Sequence, residues 1–489
     1  MQLNEDQRRA VQTALEVAEC AGHMSLMGSA GTGKTTTIRA IAKAVVEKWP
    51  SKTVLLLAPT HKAKRLFGAG SLPRGVKRYT VAYFCSVEQF DCRDENGFRI
   101  SAESSKTLER VKEVKTSYSL VIVDESSMVN KECALAIADI CKMAGVGVVF
   151  SGDHRQLPPI EEAAKADDFT DGPDVTKAAS TMAPEFLDAP IKVVLDKVMR
   201  HGGPILEYAT LIRSNWDTRH TFPPRSVADE CSRIRVVGDV PSAFVEHFGR
   251  AYEAAQGQGY LSLYDTAPRY LSFCNINVRQ TTQRLRIAIY GEQARSQWRA
   301  GELVTLGYRE NIEGRIYTST DAIVLSSTIE HYEPEPLTVH WETRKLKLPR
   351  ASELKFSGPM QKITVQLLRE DGRKDTFGAS QGRRTFLTPV LGDKRASDDY
   401  KKIKGLIKEK IAPGYDVHPA WKWLKNIRDD CFGDISSAFA TTVHKSQGST
   451  YRHVYVDRDL LIAEEDRNSL LYVAATRASQ SVTFGGANG

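Results

Sequence analysis

The 489-residue chain is long enough for two to four domains, and its 41% of hydrophobic residues can supply a core for each. The net charge of +7 suits a nucleic-acid partner, although alone it indicates only a soluble, moderately basic protein. The eight cysteines stand singly, which argues against a zinc site and a disulfide framework and favours reduced thiols in an intracellular protein. No signal-peptide core and no run of 18 apolar residues occur, so we expect a protein that is neither secreted nor membrane-spanning.

The amino-terminal segment predicts a helix with a polar residue of interest in its first turn. Residues 3–20 have the apolar spacing of an amphipathic helix, and Asn4 is a suitable N-cap. The amide of Gln7 offers a donor and an acceptor together, which matches the edge of adenine. Surface glutamines are common, so Gln7 by itself is a weak signal.

A glycine-rich loop follows, between a short apolar stretch and a segment with helical spacing. Strand, glycine loop and helix start form a setting in which main-chain N–H groups hold phosphates. Lys34 can reach the β- and γ-phosphates of ATP, and Thr35 can ligate Mg²⁺. A plain turn before a helix is the alternative, which the later motifs disfavour. We expect the whole loop to bind nucleotide, through Gly28, Ser29, Ala30, Gly31, Thr32, Gly33, Lys34, Thr35 and Thr36.

A second buried strand, residues 54–57, leads into a basic helix start. Pro59 ends the strand, and the next side chains combine a hydroxyl, an imidazole and a cation. Such groups at a helix start suit backbone phosphates, although a solvated basic helix face explains them equally well. The candidates for this contact are Thr60, His61 and Lys62.

A hairpin is predicted at residues 90–100, after the short segment 79–84. Asn96-Gly97 is a strong signal for a type I′ turn, and it places Phe98 beside the tip. An aromatic ring there is exposed unless something packs on it. Phe98 is therefore either an exposed ring at the hairpin tip or a core residue of a small lobe, and the family resemblance described below would make an exposed ring there a strand-separating pin.

Two further apolar strands end in polar side chains. Residues 119–123 run into Asp124 and Glu125, and residues 146–150 run towards Gln156. Strands that alternate with helices indicate a parallel α/β sheet with its ligand site at the carboxyl edge. Asp124 can hold the Mg²⁺ shell, and Glu125 can orient and deprotonate an attacking water. The repulsion between two adjacent buried carboxylates also favours a cation between them.

The second half of the chain predicts another α/β unit with an insertion. A linker is expected at residues 167–173, and the new unit begins near residue 191 and includes Asn275 after a strand. From about residue 297 five short β runs suggest a small β-barrel, followed by a basic helix and a helix that contains Trp421. Parallel-sheet features return with residues 441–448, the strand 454–456 and the helix 470–478.

The order of these motifs resembles superfamily 1 helicases, most closely the RecD-like branch with the Dda-type phage enzymes. The similarity covers nearly the whole chain, and residues 156–159 resemble the branch that moves 5′→3′. Met199 departs from the pattern, because relatives often carry an aromatic residue there. The matching segments are residues 3–10, 28–35, 58–66, 80–84, 121–128, 152–159, 195–200, 441–450 and 470–478.

The resemblance implies an α/β fold with two RecA-like P-loop domains built on parallel sheets. The first would span residues 1–165, with a hairpin insertion at 79–115. The second would comprise residues 175–296 and 433–489. A mainly β, SH3-like insertion with helices would occupy residues 297–432.

The resemblance also assigns roles. Gln7 would read adenine, Gln156 would sense the γ-phosphate, and Arg200 and Arg477 would act as arginine fingers. Gly448 would join the nucleotide site. The single-stranded DNA contacts would be Pro59, Thr60, His61, Lys62, Thr80, Phe98, Asn275, Thr442, His444 and Lys445.

The function implied is an ATP-dependent DNA helicase that uses Mg²⁺, moves 5′→3′ on single-stranded DNA and unwinds duplexes in replication, repair or recombination. Its partners would be single strands, DNA junctions and single-strand-binding or replication proteins, and it would act as a monomer in the cytoplasm, or a host cytoplasm if viral. An RNA helicase and a non-unwinding, ATP-switched loading subunit are the alternatives. A small-molecule kinase is excluded because the second half has its own motif set.

Overall fold

The computed structural model describes residues 3–59, 72–85, 105–159, 182–197, 203–223, 225–256, 260, 262–306, 320–342, 349–367, 383–391, 395–410, 420, 422–424, 426–427, 435–464 and 466–486. The predicted hairpin at 90–100, the linker at 167–173 and Trp421 lie outside these ranges. The chain divides into two compact units. Unit 1 comprises Met1–Val240, Leu271–Asn275 and Thr442–Gly489, and unit 2 comprises Pro241–Tyr270 and Ile276–Thr441.

The first sheet of unit 1 has six parallel strands in the order β3-β2-β4-β5-β1-β6. Its strands are β1 His23–Gly28, β2 Thr53–Ala58, β3 Lys77–Thr80, β4 Tyr118–Val123, β5 Gly147–Gly152 and β6 Ile191–Leu195. The helices of this region are α1 Glu5–Cys20, α2 Lys34–Lys48, α3 Val81–Phe84, α4 Ser105–Ser117, α5 Lys131–Ala144 and α6 Pro184–Leu187.

Burial on both faces explains why the central strands are continuously apolar. Leu55 and Leu57 of β2 pack into one core with α5, while Leu56 packs into a second core with α1 and α2. Successive strand residues point to opposite faces, so each face needs its own apolar set. The prediction of a parallel α/β sheet is confirmed. The strand near residue 191 differs from expectation, because β6 pairs with β1 at the edge of this sheet and does not open a new unit.

A second six-stranded sheet has the order β17-β9-β18-β19-β8-β7. Strands β8, β19 and β18 are parallel, and β7 is antiparallel to β8. The strands are β7 Val227–Ala228, β8 Arg233–Val237, β9 Arg269–Ser272, β17 Ala440–Thr442, β18 Tyr451–Val456 and β19 Ala478–Gly485. Three helices of unit 1 accompany it: α7 Gly203–Ser214, α12 Val443–Ser446 and α13 Arg467–Thr476.

Unit 2 contains the β-rich segment predicted from about residue 297. A five-stranded sheet has the order β15-β14-β11-β10-β16, and all the pairings between its strands are antiparallel. All five predicted β runs are strands, and the SH3-like closure of the sheet stays a prediction. The strands are β10 Leu303–Leu306, β11 Thr320–Tyr332, β14 Gly358–Leu367, β15 Arg383–Pro389 and β16 Ile435–Ser437, with a separate hairpin of β12 Leu337–Glu342 and β13 Pro349–Leu354.

The helices of this part of the chain are α8 Val240–Gln256, α9 Leu263–Thr266, α10 Asn275–Tyr290 and α11 Arg395–Lys410. Buried Arg286 and Glu302 form an ion pair that links α10 to the turn before β10. Across the described ranges, no helix combines the length and the apolar character that crossing a membrane requires.

Candidate functional site

The glycine loop between β1 and α2 has a backbone that only glycine can adopt without strain. Gly31 and Gly33 have φ values of 84° and 87°. A Cβ at Gly33 would lie 2.5 Å from Gln7 Nε2, and one at Gly28 would lie 2.5 Å from Thr32 Oγ1. The predicted strand, loop and helix therefore occur as expected. Close packing disfavours a side chain at position 28, and the positive φ disfavours one at position 33.

Lys34 lies over this loop at the start of α2. Its Nζ donates to the main-chain oxygens of Gly28, over 2.8 Å, and Ser29, over 3.2 Å. Thr35 and Thr36 follow in the first helical turn and are half-buried. The Lys34 cation thus lies beside a glycine loop at a helix start, which is an arrangement suited to an anion.

Gln7 is held close to the loop by a capping box at the start of α1. Its main-chain N–H donates to Asn4 Oδ1, and its Oε1 accepts from Asn4 N over 3.1 Å. Its Nε2 donates to Thr32 O over 3.4 Å. Asn4 is the N-cap that the sequence predicts. The Gln7 amide is thus tied to the loop and to the cap at once.

Asp124 and Glu125 lie directly after β4, at the carboxyl edge of the first sheet. Asp124 is 3% exposed. Its burial, followed by the negative charge of Glu125, raises the pKa of Asp124 to about 7, while the Lys34 charge acts in the opposite direction. The charge of Lys34 thus acts on the carboxyl group of Asp124, as expected if both residues belong to one site.

Glu125 has two features that the sequence does not reveal. Its backbone is left-handed, with φ 50° and ψ 44°, which is unfavourable for a residue with a side chain. Its Oε2 is buried and accepts no hydrogen bond from the described residues. A strained backbone and a buried carboxylate oxygen without a donor are typical of functional positions.

The segment after β5 carries Asp153 and Gln156. Asp153 is completely buried and accepts from Arg213 Nη1 (2.9 Å), Tyr472 Oη (2.7 Å) and the Arg155 main-chain N–H (3.1 Å). Gln156 is 3% exposed, and its Oε1 finds no donor within the described ranges. The sequence identified Gln156 and missed the cluster of Asp153, Arg213 and Tyr472.

Arg477 directly follows α13 and is buried. Its Nη1 donates to the main-chain oxygen of Ser449 over 3.1 Å, and Ser449 follows Gly448, which has a φ of 72°. In the same region, Gln447 Nε2 donates to Leu157 O over 3.2 Å, one residue beyond Gln156. The segment 447–449 is therefore bonded both to Arg477 and to the chain beside Gln156.

The candidate DNA contacts that the structure describes fall into two groups. Thr80 and Thr442 are largely buried N-caps of four-residue helices, accepting from the N–H of Tyr83 and Lys445 respectively. The structure places Pro59, Asn275 and His444 at half-buried positions and Lys445 at an exposed one. The remaining predicted site residues lie outside the described residues: Thr60, His61, Lys62, Phe98 and Arg200.

Two family models match the chain. The model described as an AAA domain matches residues 2–179, and the model described as a UvrD-like helicase C-terminal domain matches residues 437–484. These ranges contain the glycine loop, the carboxylate pair, Gln156 and Arg477.

Three relatives extend the comparison. An uncharacterized protein of Acanthamoeba polyphaga mimivirus is 20% identical and covers 94% of each chain. The ATP-dependent DNA helicase PIF1 of Candida albicans is 30% identical over 92% of this chain. The RecBCD enzyme subunit RecD of Mycobacterium tuberculosis is 28% identical over 34% of it. The chain spans about half, 51%, of PIF1 and 29% of RecD.

Among solved structures, the crystal structure of Pif1 helicase from Candida albicans aligns with 99% of this chain and 94% of its own, at 16% identity and a TM-score of 0.48.

Proposed function

We propose that this chain, which belongs to the superfamily 1B helicases of the RecD and Pif1 type, is an ATP-dependent DNA helicase. The observation that carries the proposal is the arrangement at the carboxyl edge of the first sheet. There, Lys34 lies over a glycine loop, and its charge acts on the buried Asp124 beside Glu125. A cation for phosphate charge and a carboxylate for water are the parts that ATP hydrolysis needs.

The residues present fit a nucleotide with Mg²⁺. Thr35 and Asp124 offer a hydroxyl and a carboxylate oxygen, which are the ligands that Mg²⁺ prefers. The buried, mutually repelling pair Asp124 and Glu125 is the electrostatic setting that a cation would relieve. When bound, Mg²⁺ neutralises charge on the β- and γ-phosphates. The loop from Gly28 to Thr36 would hold the phosphates of the nucleotide, and Gln7 would contact its adenine.

In the hydrolysis step, Glu125 would orient the attacking water and take its proton. Its Oε2 is available for this, because it accepts no hydrogen bond within the described ranges. Gln156 would contact the γ-phosphate side and transmit its presence to the DNA-binding segments. Arg477 and Arg200 would offset the charge that develops in the transition state.

Movement along DNA would follow from closure and opening between two RecA-like domains, one built on the first six-stranded sheet with β6 at its edge and the other on the second six-stranded sheet. Thr60, His61, Lys62, Thr80 and Pro59 would grip the strand on one side, and Asn275, Thr442, His444 and Lys445 on the other. The resemblance of residues 156–159 to the 5′→3′ branch supports that direction. Phe98 would separate the strands at a junction, and the enzyme would act as a monomer.

Two assays test this proposal. ATP hydrolysis should rise strongly with single-stranded DNA and less with RNA of equal length, whereas stimulation by RNA alone would indicate an RNA helicase. Duplexes with a 5′ tail should be unwound and those with a 3′ tail should not. DNA-stimulated hydrolysis without unwinding of either substrate would contradict the helicase assignment and favour an ATP-switched loading subunit.

A further inference from the structure

The hydroxyl of Tyr472 lies in a buried hydrogen-bond cluster that reaches the phosphate-binding loop. It donates to Asp153 Oδ2 over 2.7 Å and accepts from the main-chain N–H of Ala30 over 3.0 Å. Tyr472 is 1% exposed and Asp153 is 0% exposed. Both side chains are thus almost fully shielded from solvent, and a polar group left unpaired at such a position costs free energy.

Arg213 completes the cluster from α7. Its Nη1 donates to Asp153 Oδ1 over 2.9 Å and to the Tyr472 hydroxyl over 3.4 Å. A buried carboxylate is tolerated only when it is paired and hydrogen-bonded, and Asp153 meets both conditions. The cluster is thus a fully bonded polar network, a kind of arrangement that fixes the relative position of the segments it joins.

Tyr472 belongs to the core around α13, and the cluster also borders a cavity. A cavity of about 290 Å³ is lined on the loop side by Ser29 and Ala30 and on the other side by Arg213, Tyr472 and Thr476. The two residues joined by the hydrogen bond between Tyr472 and Ala30 therefore both line this cavity.

Tyr472 also lies on the short helix that leads to Arg477. α13 covers Arg467–Thr476, its residues 470–476 are all buried, and Arg477 follows directly. Five residues correspond to about 7.5 Å along a helix axis. A shift of this helix relative to the loop would therefore move Arg477 as well.

We propose that Tyr472 is a positioning residue whose hydroxyl holds the glycine loop, at Ala30, in register with the helix that leads to Arg477. This inference rests on the proposed function, since it assumes that the loop binds ATP and that Arg477 acts in hydrolysis. The hydroxyl contacts one N–H of the loop, that of Ala30, whereas the proposed function assigns the phosphate charge to Lys34. Loss of the hydroxyl should therefore lower turnover and leave the affinity for ATP nearly intact.

The test is Tyr472→Phe, which keeps the buried ring and removes the hydroxyl. We expect kcat of DNA-stimulated ATP hydrolysis to fall about tenfold or more, with KM for ATP within about threefold of the unaltered protein. The matched control is Tyr208→Phe. Tyr208 is a buried tyrosine of the same unit whose hydroxyl donates to Thr221 O over 2.9 Å, away from the loop. This control should leave kcat unchanged.

A double-mutant cycle separates positioning from packing. Asp153→Asn should produce the same split between kcat and KM, because the amide has one acceptor oxygen in place of the two that accept from Tyr472 and Arg213. If both act through one network, kcat of the double variant should stay within about threefold of the worse single variant. Losses that multiply would overturn the inference. So would a Tyr472→Phe protein with unchanged kcat, or one whose KM rises as much as its kcat falls.

The activity of the unaltered protein shows whether a negative result contradicts the positioning role alone or the proposed function as well. If it hydrolyses ATP and the Tyr472→Phe variant matches it, the positioning role is wrong and the proposed function stands. If the unaltered, folded protein does not hydrolyse ATP with any nucleic acid, the proposed function is wrong and the positioning role falls with it.

Discussion

The ammonium group of Lys34 donates to the carbonyl oxygen of Gly28 over 2.8 Å, so the loop's cation is bonded to the last residue of the strand that precedes it. A phosphate in the loop would compete for the same protons. Because Lys34 is bonded only to main-chain oxygens of the loop in the contacts described, its charge matters for an anion more than for packing.

Lys34→Ala should reduce ATP hydrolysis by about 10²-fold or more, since one preorganised donor to a charged transition state is worth that much. The melting temperature should change little. Lys48→Ala, at the far end of the same helix and paired with Glu19, is the control and should retain activity. Near-normal turnover by a folded Lys34→Ala protein would contradict the phosphate-binding role.

Glu125→Gly separates backbone strain from chemistry. A side chain at φ 50° costs about 1–2 kcal/mol, so glycine should raise the free energy of unfolding by that order while hydrolysis falls to background. Ala21, at φ 52° after α1, gives the matched control. Ala21→Gly should stabilise similarly and leave hydrolysis unchanged. Calorimetry measures the change in the free energy of unfolding, and an ATPase assay measures hydrolysis. A Glu125→Gly protein that still hydrolyses ATP would show that Glu125 is not the base.

Asp124 predicts a pH dependence of stability. Its folded pKa of about 7 lies above the usual value of about 3.9, so the folded chain binds this proton more tightly than the unfolded chain. Stability from this group is therefore lost as the pH rises from about 4 to about 7.

Asp124→Asn should consequently stabilise the metal-free protein at pH 8, on the order of 1 kcal/mol or more, and the gain should vanish near pH 4. Thermal melts in a chelator at both pH values measure the difference. Asp139→Asn, on an exposed side of α5, serves as the control. An equal gain at both pH values would show that charge burial is not the cause.

Arg477→Ala should lower hydrolysis about 10³-fold with a smaller loss of ATP affinity, as expected for a group that acts on transition-state charge. Because its Nη1 also donates to Ser449 O, a moderate loss of stability should accompany it. Arg452→Ala, at an exposed position of β18, is the control. A variant that mainly lost nucleotide affinity would count against the finger role.

Phe98→Ala tests the predicted strand-separating pin. A ring beside a tight hairpin can replace the stacking that a separated base loses, worth about 1–3 kcal/mol per base. The variant should keep DNA-stimulated hydrolysis and movement on single strands and lose duplex unwinding. If Phe98 belongs to a core, stability and all activities should fall together, and a stable variant that still unwinds would exclude the pin.

The sequence could predict the parts of the site that are local in the chain. Gly28, Lys34 and Asp124 lie at or shortly after the ends of apolar strands, and parallel pairing brings the carboxyl ends of these strands to one edge of the sheet. The apolar runs in the sequence therefore predict both the strands and the edge at which the site lies. The N-cap at Asn4 and the five β runs are equally local. Such features depend on neighbours within a few residues.

The features that the sequence could not predict depend on contacts between segments that are far apart in the chain. Tyr472 lies in an apolar run that predicts only a buried helix, and its partner Asp153 is 319 residues away. β6 pairs with β1 across more than 160 residues, and no local signal distinguishes that partner from others. The left-handed backbone of Glu125 is likewise set by the surrounding fold, because the residue type itself disfavours it.

The position of β19 also sets an order of events during synthesis. β19 lies between β8 and β18, so β8 acquires its parallel neighbour only after roughly 250 further residues have left the ribosome, which takes on the order of 10–50 s. Until then the nascent chain carries an unpaired strand edge and apolar helices without their partners, which are the features that promote aggregation. The second sheet must therefore be completed late, and its folding yield should depend on chaperones more than that of the first sheet.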